Sequence, residues 1–240
     1  MTWRTHSCVP CRHSCRHLVC AHAAAILFVA LCAQTSALPQ SQNSHRMEII
    51  LERRDPSGWR AIDPGLVLDQ NDEVRFRFRA NFDGFLYVSN HSTSGKYDQL
   101  FPREETGRNN RIAAGQEYRV PATAAAFRIA GPAGHEIVYW LVSPARLGDV
   151  PPRLDVPPAE PHTLIPRCDD ARLKARGDCV DVSAGPKLVP RGLEMPQSLS
   201  DAAGRSQRDL LFMRRQDTAV ISSPEPLTGP VIYEFLLAHR

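Results

Sequence analysis

Residues Asn71–Asn90 read NDEVRFRFRANFDGFLYVSN, and this stretch decides the fold class. Val74, Phe76, Phe78 and Ala80 alternate with Arg75, Arg77 and Arg79. A repeat of two residues sends successive side chains to opposite faces, so the segment predicts a strand with one apolar face and one wet face. Asp83-Gly84 supplies the residue types of a tight primed turn, and Phe85-Leu86-Tyr87-Val88 follows at once. The expectation is a β-hairpin running through Asp83-Gly84.

The flanking sequence repeats the pattern. Upstream, RMEIILERR over 46–54 predicts a strand with Met47, Ile49 and Leu51 on one face, closed by the turn residues Asp55-Pro56-Ser57-Gly58. Downstream, Tyr97–Phe101 predicts a strand stopped by Pro102, and REETGRNN over 103–110 a charged loop. Gly115 marks a turn before Tyr118-Arg119-Val120, and 125–129 predicts a further strand. EIVYWLV over 136–142 is apolar at both parities, the pattern of a central strand covered on both sides. Strands about every ten residues, separated by turn chemistry, predict an all-β, immunoglobulin-like β-sandwich with its core at 46–145.

Composition changes at Pro144. Seven prolines fall between Pro144 and Pro166, and proline lacks the amide donor a ladder needs, so 146–209 predicts a Pro-rich connection. Within it, DDARLKAR over 169–176 predicts one short helix, with Asp169 placed to cap it and Gly177 to end it. Cys168 and Cys179 flank that helix. Leu210–Met213 and Ala219–Ser222 predict a hairpin, and Val231–Ala238 a closing strand, so 210–240 is expected to return to the sandwich.

Residues 1–37 predict a signal peptide. The segment holds Arg4, Arg12 and Arg16 and no acidic residue, then the apolar run AAAILFVALCA over 23–33 and the small residues Thr35-Ser36-Ala37. The run is too short to span a bilayer and the right length for a signal-peptide core. Cleavage after Ala37 would leave a flexible stretch at 38–45. The full chain carries a formal charge of +3, which is the three leader arginines, so the processed chain is neutral. That neutrality argues against nucleic acid as a partner. Export to the periplasm or outside the cell, with no stable membrane span after cleavage, is the expectation. Five of the seven cysteines lie in the leader, leaving Cys168 and Cys179 to form a disulfide in an oxidising compartment. The leader's Cys8, Cys11, Cys15 and Cys20 alternate with histidines in a zinc-like pattern, but no second apolar nucleus surrounds them. Cys32 resembles a lipid-anchor site only loosely, because Leu31 stands where a small residue is expected.

The residues Val74–Asn90, with Leu100-Phe101-Pro102, Gly107, Asn110, Ile112, Ala114-Gly115 and Val120-Pro121, resemble the bacterial family known as domain of unknown function 4384. The resemblance covers about 70–145. It implies a β-sandwich found in envelope or multidomain proteins, and it carries no catalytic residues.

Chemical motifs are sparse. His135-Glu136 has Tyr139 where a metalloprotease helix needs a second histidine, and Ser94-Gly95-Lys96 lacks both the first glycine and the following hydroxyl of a phosphate loop. His91, His135 and His162 are isolated in sequence. Asp69, Asn71, Asp72, Glu73, Asn81 and Asp83 offer hard oxygens of the kind calcium takes, without the spacing of an EF-hand. Arg176-Gly177-Asp178 is the end of the predicted helix. No catalytic residue, cofactor site or metal site is therefore expected. The expected function is a non-catalytic exported module that binds an envelope protein or glycan, through loops 90–96 and 103–110 and the arginine strand. The expected contact residues are Arg75, Arg77, Arg79, Lys96, Arg103 and Arg108. The alternatives are an envelope hydrolase, which would need His, Asp and Glu converging in one pocket, and a glycan-binding module using Tyr97 and Tyr118.

Overall fold

A computed structural model describes residues 44–148, 165–168, 175, 178–189 and 209–240. All lie within one unit, Pro39–Arg240. The predicted signal peptide, most of the Pro-rich connection, His162 and the predicted helix at 169–176, apart from Ala175, fall outside the described residues.

The described strands are β1 (His45–Asp55), β2 (Gly58–Ile62), β3 (Glu73–Ala80), β4 (Gly84–His91), β5 (Tyr97–Phe101), β6 (Arg111–Ile112) and β7 (Glu117–Val120). They continue with β8 (Phe127–Arg128), β9 (Gly134–Ser143), β10 (Gly185–Lys187), β11 (Leu211–Arg215), β12 (Thr218–Ser223) and β13 (Val231–His239). Two antiparallel sheets pack face to face. One has the order β11-β12-β1-β3-β7, with β2 added to β1 and β8 to β3; the other has the order β10-β13-β9-β4-β5, with β6 added to β4. Sequence-distant strands meet in both: β12 pairs with β1 and β13 with β9.

Alternation explains which side chains form the core. From β1 come Met47, Ile49 and Leu51, and from β3 Val74, Phe76 and Phe78, all with no exposed surface. The facing sheet supplies Leu86, Val88, Val138, Trp140, Tyr233 and Phe235. Trp140 stacks on Phe78 with centroids 5.6 Å apart and meets Phe76 edge-on at 5.2 Å; Phe235 meets Phe76 edge-on at 5.5 Å. Offset-stacked and edge-on arrangements suit the aromatic quadrupole. All ten residues of β9 are buried, as its two-sided apolarity predicts. Tyr87, Ile137, Tyr139, Leu141 and Ile232 form a second cluster with the opposite parity, on the outer side of the same sheet.

The Asp83-Gly84 hairpin does not form. β3 and β4 lie in different sheets, and residues 81–83 carry the chain from one to the other. Parity gives the reason. A two-residue turn at 83–84 would set Val88 opposite Arg79 and Leu86 opposite Asn81, leaving both aliphatic groups on the wet face. Crossing to the second sheet turns Leu86 and Val88 inward, each fully buried. Phe82 enters the core during the crossing and stacks on His45 with centroids 4.1 Å apart. The Asp83 carboxylate accepts the Ala114 N–H at 2.7 Å. Gly84 is not in the left-handed region; it is required because a Cβ there would stand 2.6 Å from the Ser143 carbonyl oxygen.

Other expectations hold. Asp55 closes the β1–β2 hairpin by accepting the Ser57 N–H at 2.8 Å, and Gly58 takes φ +124°. β11 and β12 form the expected hairpin. The closing strand β13 lies inside its sheet, between β9 and β10. Of the predicted strand at 125–129, only Phe127–Arg128 pairs, with β3.

Candidate functional site

The inward faces of three neighbouring strands end in polar residues at one end of the sandwich. On β4 the inward series is Leu86, Val88, Asn90; on β9 it is Trp140, Val138, Glu136; on β13 it is Phe235, Leu237, His239. The edge strand β5 adds Asp98 directly opposite Asn90. Each polar residue of the three series falls two positions beyond a core side chain, where the period-two rule keeps it pointing inward. Val74 and Phe76 of β3, with the segment Ala126–Gly131, form the opposite wall. Between them is an open cleft of about 400 Å³. Leu100, Phe127, Ile129, Val138 and Leu237 line its apolar part, and Ser92, Ser94, Lys96, Asp98 and Arg128 its rim.

Glu136 organises the polar end. It is 7% exposed. Its Oε2 accepts the Asn90 amide N–H at 2.6 Å, and its Oε1 accepts the Thr93 N–H and hydroxyl, both at 3.1 Å. His239 Nε2, on a fully buried ring, stands 3.4 Å from Oε1. Burial alone would raise the Glu136 carboxyl, but hydrogen bonds from His239, Asn90 and the Thr93 N–H outweigh it and hold the pKa below the ordinary range. The backbone on either side of His239 is pinned to Leu68: the Leu68 N–H donates to Ala238 O at 2.9 Å and the Arg240 N–H to Leu68 O at 3.0 Å. Gly131, at φ +96°, brings the neighbouring loop so close that a Cβ would lie 2.9 Å from the Thr93 hydroxyl.

A carboxylate offers about four lone-pair sites. Here three contacts meet Oε1 and one meets Oε2, so the group is ionised and held in place. Pinned on both oxygens, it serves as an anchored acceptor better than as a general base, which has to turn a lone pair toward a substrate proton.

A second buried histidine has hydrolase-like neighbours. His135 Nε2 lies 3.0 Å from Asp181 Oδ2 and 3.5 Å from Ser183 Oγ. Both partners meet the same ring nitrogen, and the Ser183 hydroxyl donates to Asp181 Oδ1 at 2.6 Å. A triad needs serine and carboxylate on opposite nitrogens, so that the base accepts from one while the other orients it. Here the serine hydroxyl already donates its hydrogen bond to the carboxylate. Burial would raise the Asp181 carboxyl; Ser183, the Arg167 N–H and His135 hold it low instead. Asp181 also accepts the Arg167 N–H at 3.0 Å, one residue before Cys168. Cys168 and Cys179 are at disulfide distance, their Cα atoms 4.8 Å apart, so the network ties that loop to β9.

The expected contact residues are spread over the molecule. Glu52 stands between Arg75 at 2.6 Å and Arg77 at 3.0 Å, and Arg77 also reaches Glu117 at 3.2 Å. Arg75 packs over the Trp59 ring at 4.3 Å. Arg79, on the same outer face, is exposed. Arg103 and Arg108 are exposed and paired within their own loop, to Glu105 and Glu104, each at 3.0 Å. Of the six, Lys96 alone lines the cleft. Tyr97 is buried and stacked on His91 at 3.9 Å, and the Tyr118 hydroxyl accepts the Ala113 N–H at 2.7 Å, so these rings form no flat aromatic strip. The hard oxygens divide between the two ends of β3. Asp69, Asn71, Asp72 and Glu73 lie at one end and Asn81 and Asp83 at the other, more than about 20 Å away by strand rise. Asp69 pairs with Arg240 at 2.7 Å, Asp72 with Arg53 at 3.4 Å and Glu73 with Arg54 at 3.0 Å. Among the described residues no three His, Cys, Asp or Glu side chains gather at metal-binding distance, and no helix is long and apolar enough to cross a membrane.

Sequence reasoning missed the cleft. Asn90, Asp98, Glu136 and His239 are separated by up to 149 positions. The one signal available was parity, a polar residue two places beyond an inward apolar series, and it recurs on three of the four strands.

Residues 67–146 match the family model described as Domain of unknown function (DUF4384). The match covers β3 to β9, and with them Asn90, Asp98 and Glu136; His239 is added by the closing strand. No curated protein and no solved structure matches the chain.

Proposed function

We propose that this chain, which carries a DUF4384 domain at 67–146, is an exported, non-catalytic β-sandwich module that binds another envelope component, protein or glycan. The observation that carries this reading is the open cleft of about 400 Å³ between the sheets. Its volume is that of a small-molecule or side-chain site, and its walls are apolar with few polar groups. The walls are strands and one rim is the 92–96 turn, where the Ser92 N–H donates to Lys96 O at 2.8 Å. A loop held this way on a rigid sheet is a usual place for recognition. Two features weigh against a hydrolase. Glu136 is held by contacts on both of its oxygens, and the Ser183 hydroxyl donates its hydrogen bond to Asp181 and not to the histidine. The Cys168–Cys179 pair is compatible with an oxidising location after export to the periplasm or beyond.

A photo-crosslinker placed at Ser94, on the rim, in the native envelope tests the reading. It should capture a discrete partner or glycan that a crosslinker at Arg60, on the β1–β2 hairpin, does not. Equal capture at both sites would remove the cleft from the interface. Hydrolysis of peptidoglycan or peptide by the purified protein, above a boiled control, would overturn the non-catalytic reading. Fractionation should find the product, beginning near Leu38, outside the cytoplasm.

A further inference from the structure

We infer that the cleft takes an aliphatic cation: a primary ammonium or guanidinium carried on an alkyl stem. The inference rests on the binding reading above and concerns what the site recognises.

The apolar part sets the stem. Leu100, Ala126 and Phe127 present hydrocarbon along the cleft, over a buried floor of Val74, Phe76 and Val138, and offer nothing to a polar chain. The polar end sets the head group. Asn90 donates its amide N–H to Glu136 at 2.6 Å, which fixes the orientation of the amide plane. The Asn90 Oδ1 is then buried without a hydrogen-bond partner among the described residues. A buried acceptor left unpaired is unfavourable, and a donor entering the cleft relieves it. Asp98 stands opposite Asn90 on the adjacent strand, on the same face. Directly opposed residues have Cβ atoms about 5 Å apart, so one donor group can reach both. The Asp98 carboxylate is in no ion pair among the described residues, so it too is open to a donor.

Charge points the same way. Arg128 is tied to Glu73 at 3.3 Å, and Glu136 is already met by Asn90, Thr93 and His239, so the rim carries Asp98 and Lys96 as its charges facing the cleft. An anionic head would meet the Asp98 carboxylate and leave the Asn90 oxygen unpaired. A neutral alkyl group would leave both acceptors unpaired. Asp98 and the Asn90 oxygen are the acceptors that face the ligand.

The test is a titration of the purified protein with n-hexylammonium, n-butylammonium, hexanoate and hexanol, followed by amide chemical shifts. Hexylammonium should shift Asn90, Ser94, Asp98 and Ile129 with one saturating isotherm. Butylammonium should bind about tenfold more weakly, at roughly three- to fourfold per buried methylene. Hexanoate should bind at least tenfold more weakly than hexylammonium. Asp98→Asn should weaken hexylammonium at least fivefold and leave hexanol unchanged; Asp98 is exposed on an edge strand, and an unchanged melting temperature would verify the fold. Lys96→Ala should strengthen hexylammonium. Nα-acetyl-lysine methylamide separates the sources. Binding as tight as hexylammonium assigns the basic side chain of a protein, and binding of the free amine alone assigns a small molecule; both support the cation. Hexanoate or hexanol matching hexylammonium at the same residues would overturn the cation while leaving a binding cleft. No shift at these residues with any probe would overturn the assignment of this cleft, and the crosslinking above would then decide the binding reading by itself.

Discussion

Replacing Glu234 by glutamine is expected to stabilise the protein at pH 8 and to leave it unchanged near pH 4. Glu234 lies in β13, on the outer side of the six-stranded sheet, and is 3% exposed. Its ladder neighbours are Tyr139 on β9 and Lys187 on β10. Burial pushes its carboxyl from the ordinary 4.5 up to about 7, with Lys187 opposing. Between those values the native state keeps a proton that the unfolded chain has released. Stability therefore falls as pH rises from about 4.5 to about 7 and stays lower above it. The interval of about 2.5 pH units corresponds to roughly 3 kcal/mol, at about 1.4 kcal/mol per unit. Glutamine keeps the shape and removes the charge, so Glu234→Gln should recover about that amount at pH 8. For a domain of this size that is a rise in melting temperature of roughly 6–12 °C. Urea denaturation of both proteins at pH 4, 6, 7 and 8 measures it. The difference should be near zero at pH 4 and grow to a plateau above pH 7. A difference that does not change with pH, or a variant less stable than the parent at pH 8, would refute the argument.

Further outcomes are expected from other parts of the fold. Truncation at Gly229 removes a strand lying between β9 and β10, and with it the buried Val231, Ile232, Tyr233 and Phe235; it should give insoluble or unfolded protein, and a soluble product with unchanged melting would contradict the topology. Phe76→Ala empties the space between Trp140, Phe127 and Phe235 and should cost about 3–5 kcal/mol by urea denaturation. Gly84→Ala drives a Cβ into the Ser143 carbonyl and should cost about 1–3 kcal/mol by the same assay; a neutral result would mean that the crossover can shift. Thiol labelling of native protein should find Cys168 and Cys179 unreactive, and replacing both by serine should cost roughly 3 kcal/mol by the loop-entropy relation for a closure of this length.

Much of the architecture followed from residue order. Alternation in 74–80 identified the faces of β3, two-sided apolarity identified β9 as a covered strand, and the 231–238 run identified the closing strand. The DUF4384 likeness was visible in the same residues, and the cysteine pair in the lack of any other cysteine after residue 37. These are local properties: a period of two and a run of apolar residues state which side chains avoid water whatever the strand pairs with. Pairing is not local. Asp83-Gly84 had the composition of a hairpin turn, and what overrode it was the parity of Leu86 and Val88, which fits only if the chain changes sheets. The cleft is further still from local reading. Asn90, Asp98, Glu136 and His239 are unremarkable polar residues until β4, β5, β9 and β13 lie side by side and carry them to one end. Sequence determined which faces turn inward. Only the tertiary structure decided which faces meet, because strand neighbours are chosen by the burial of the whole sandwich and by no single segment of it.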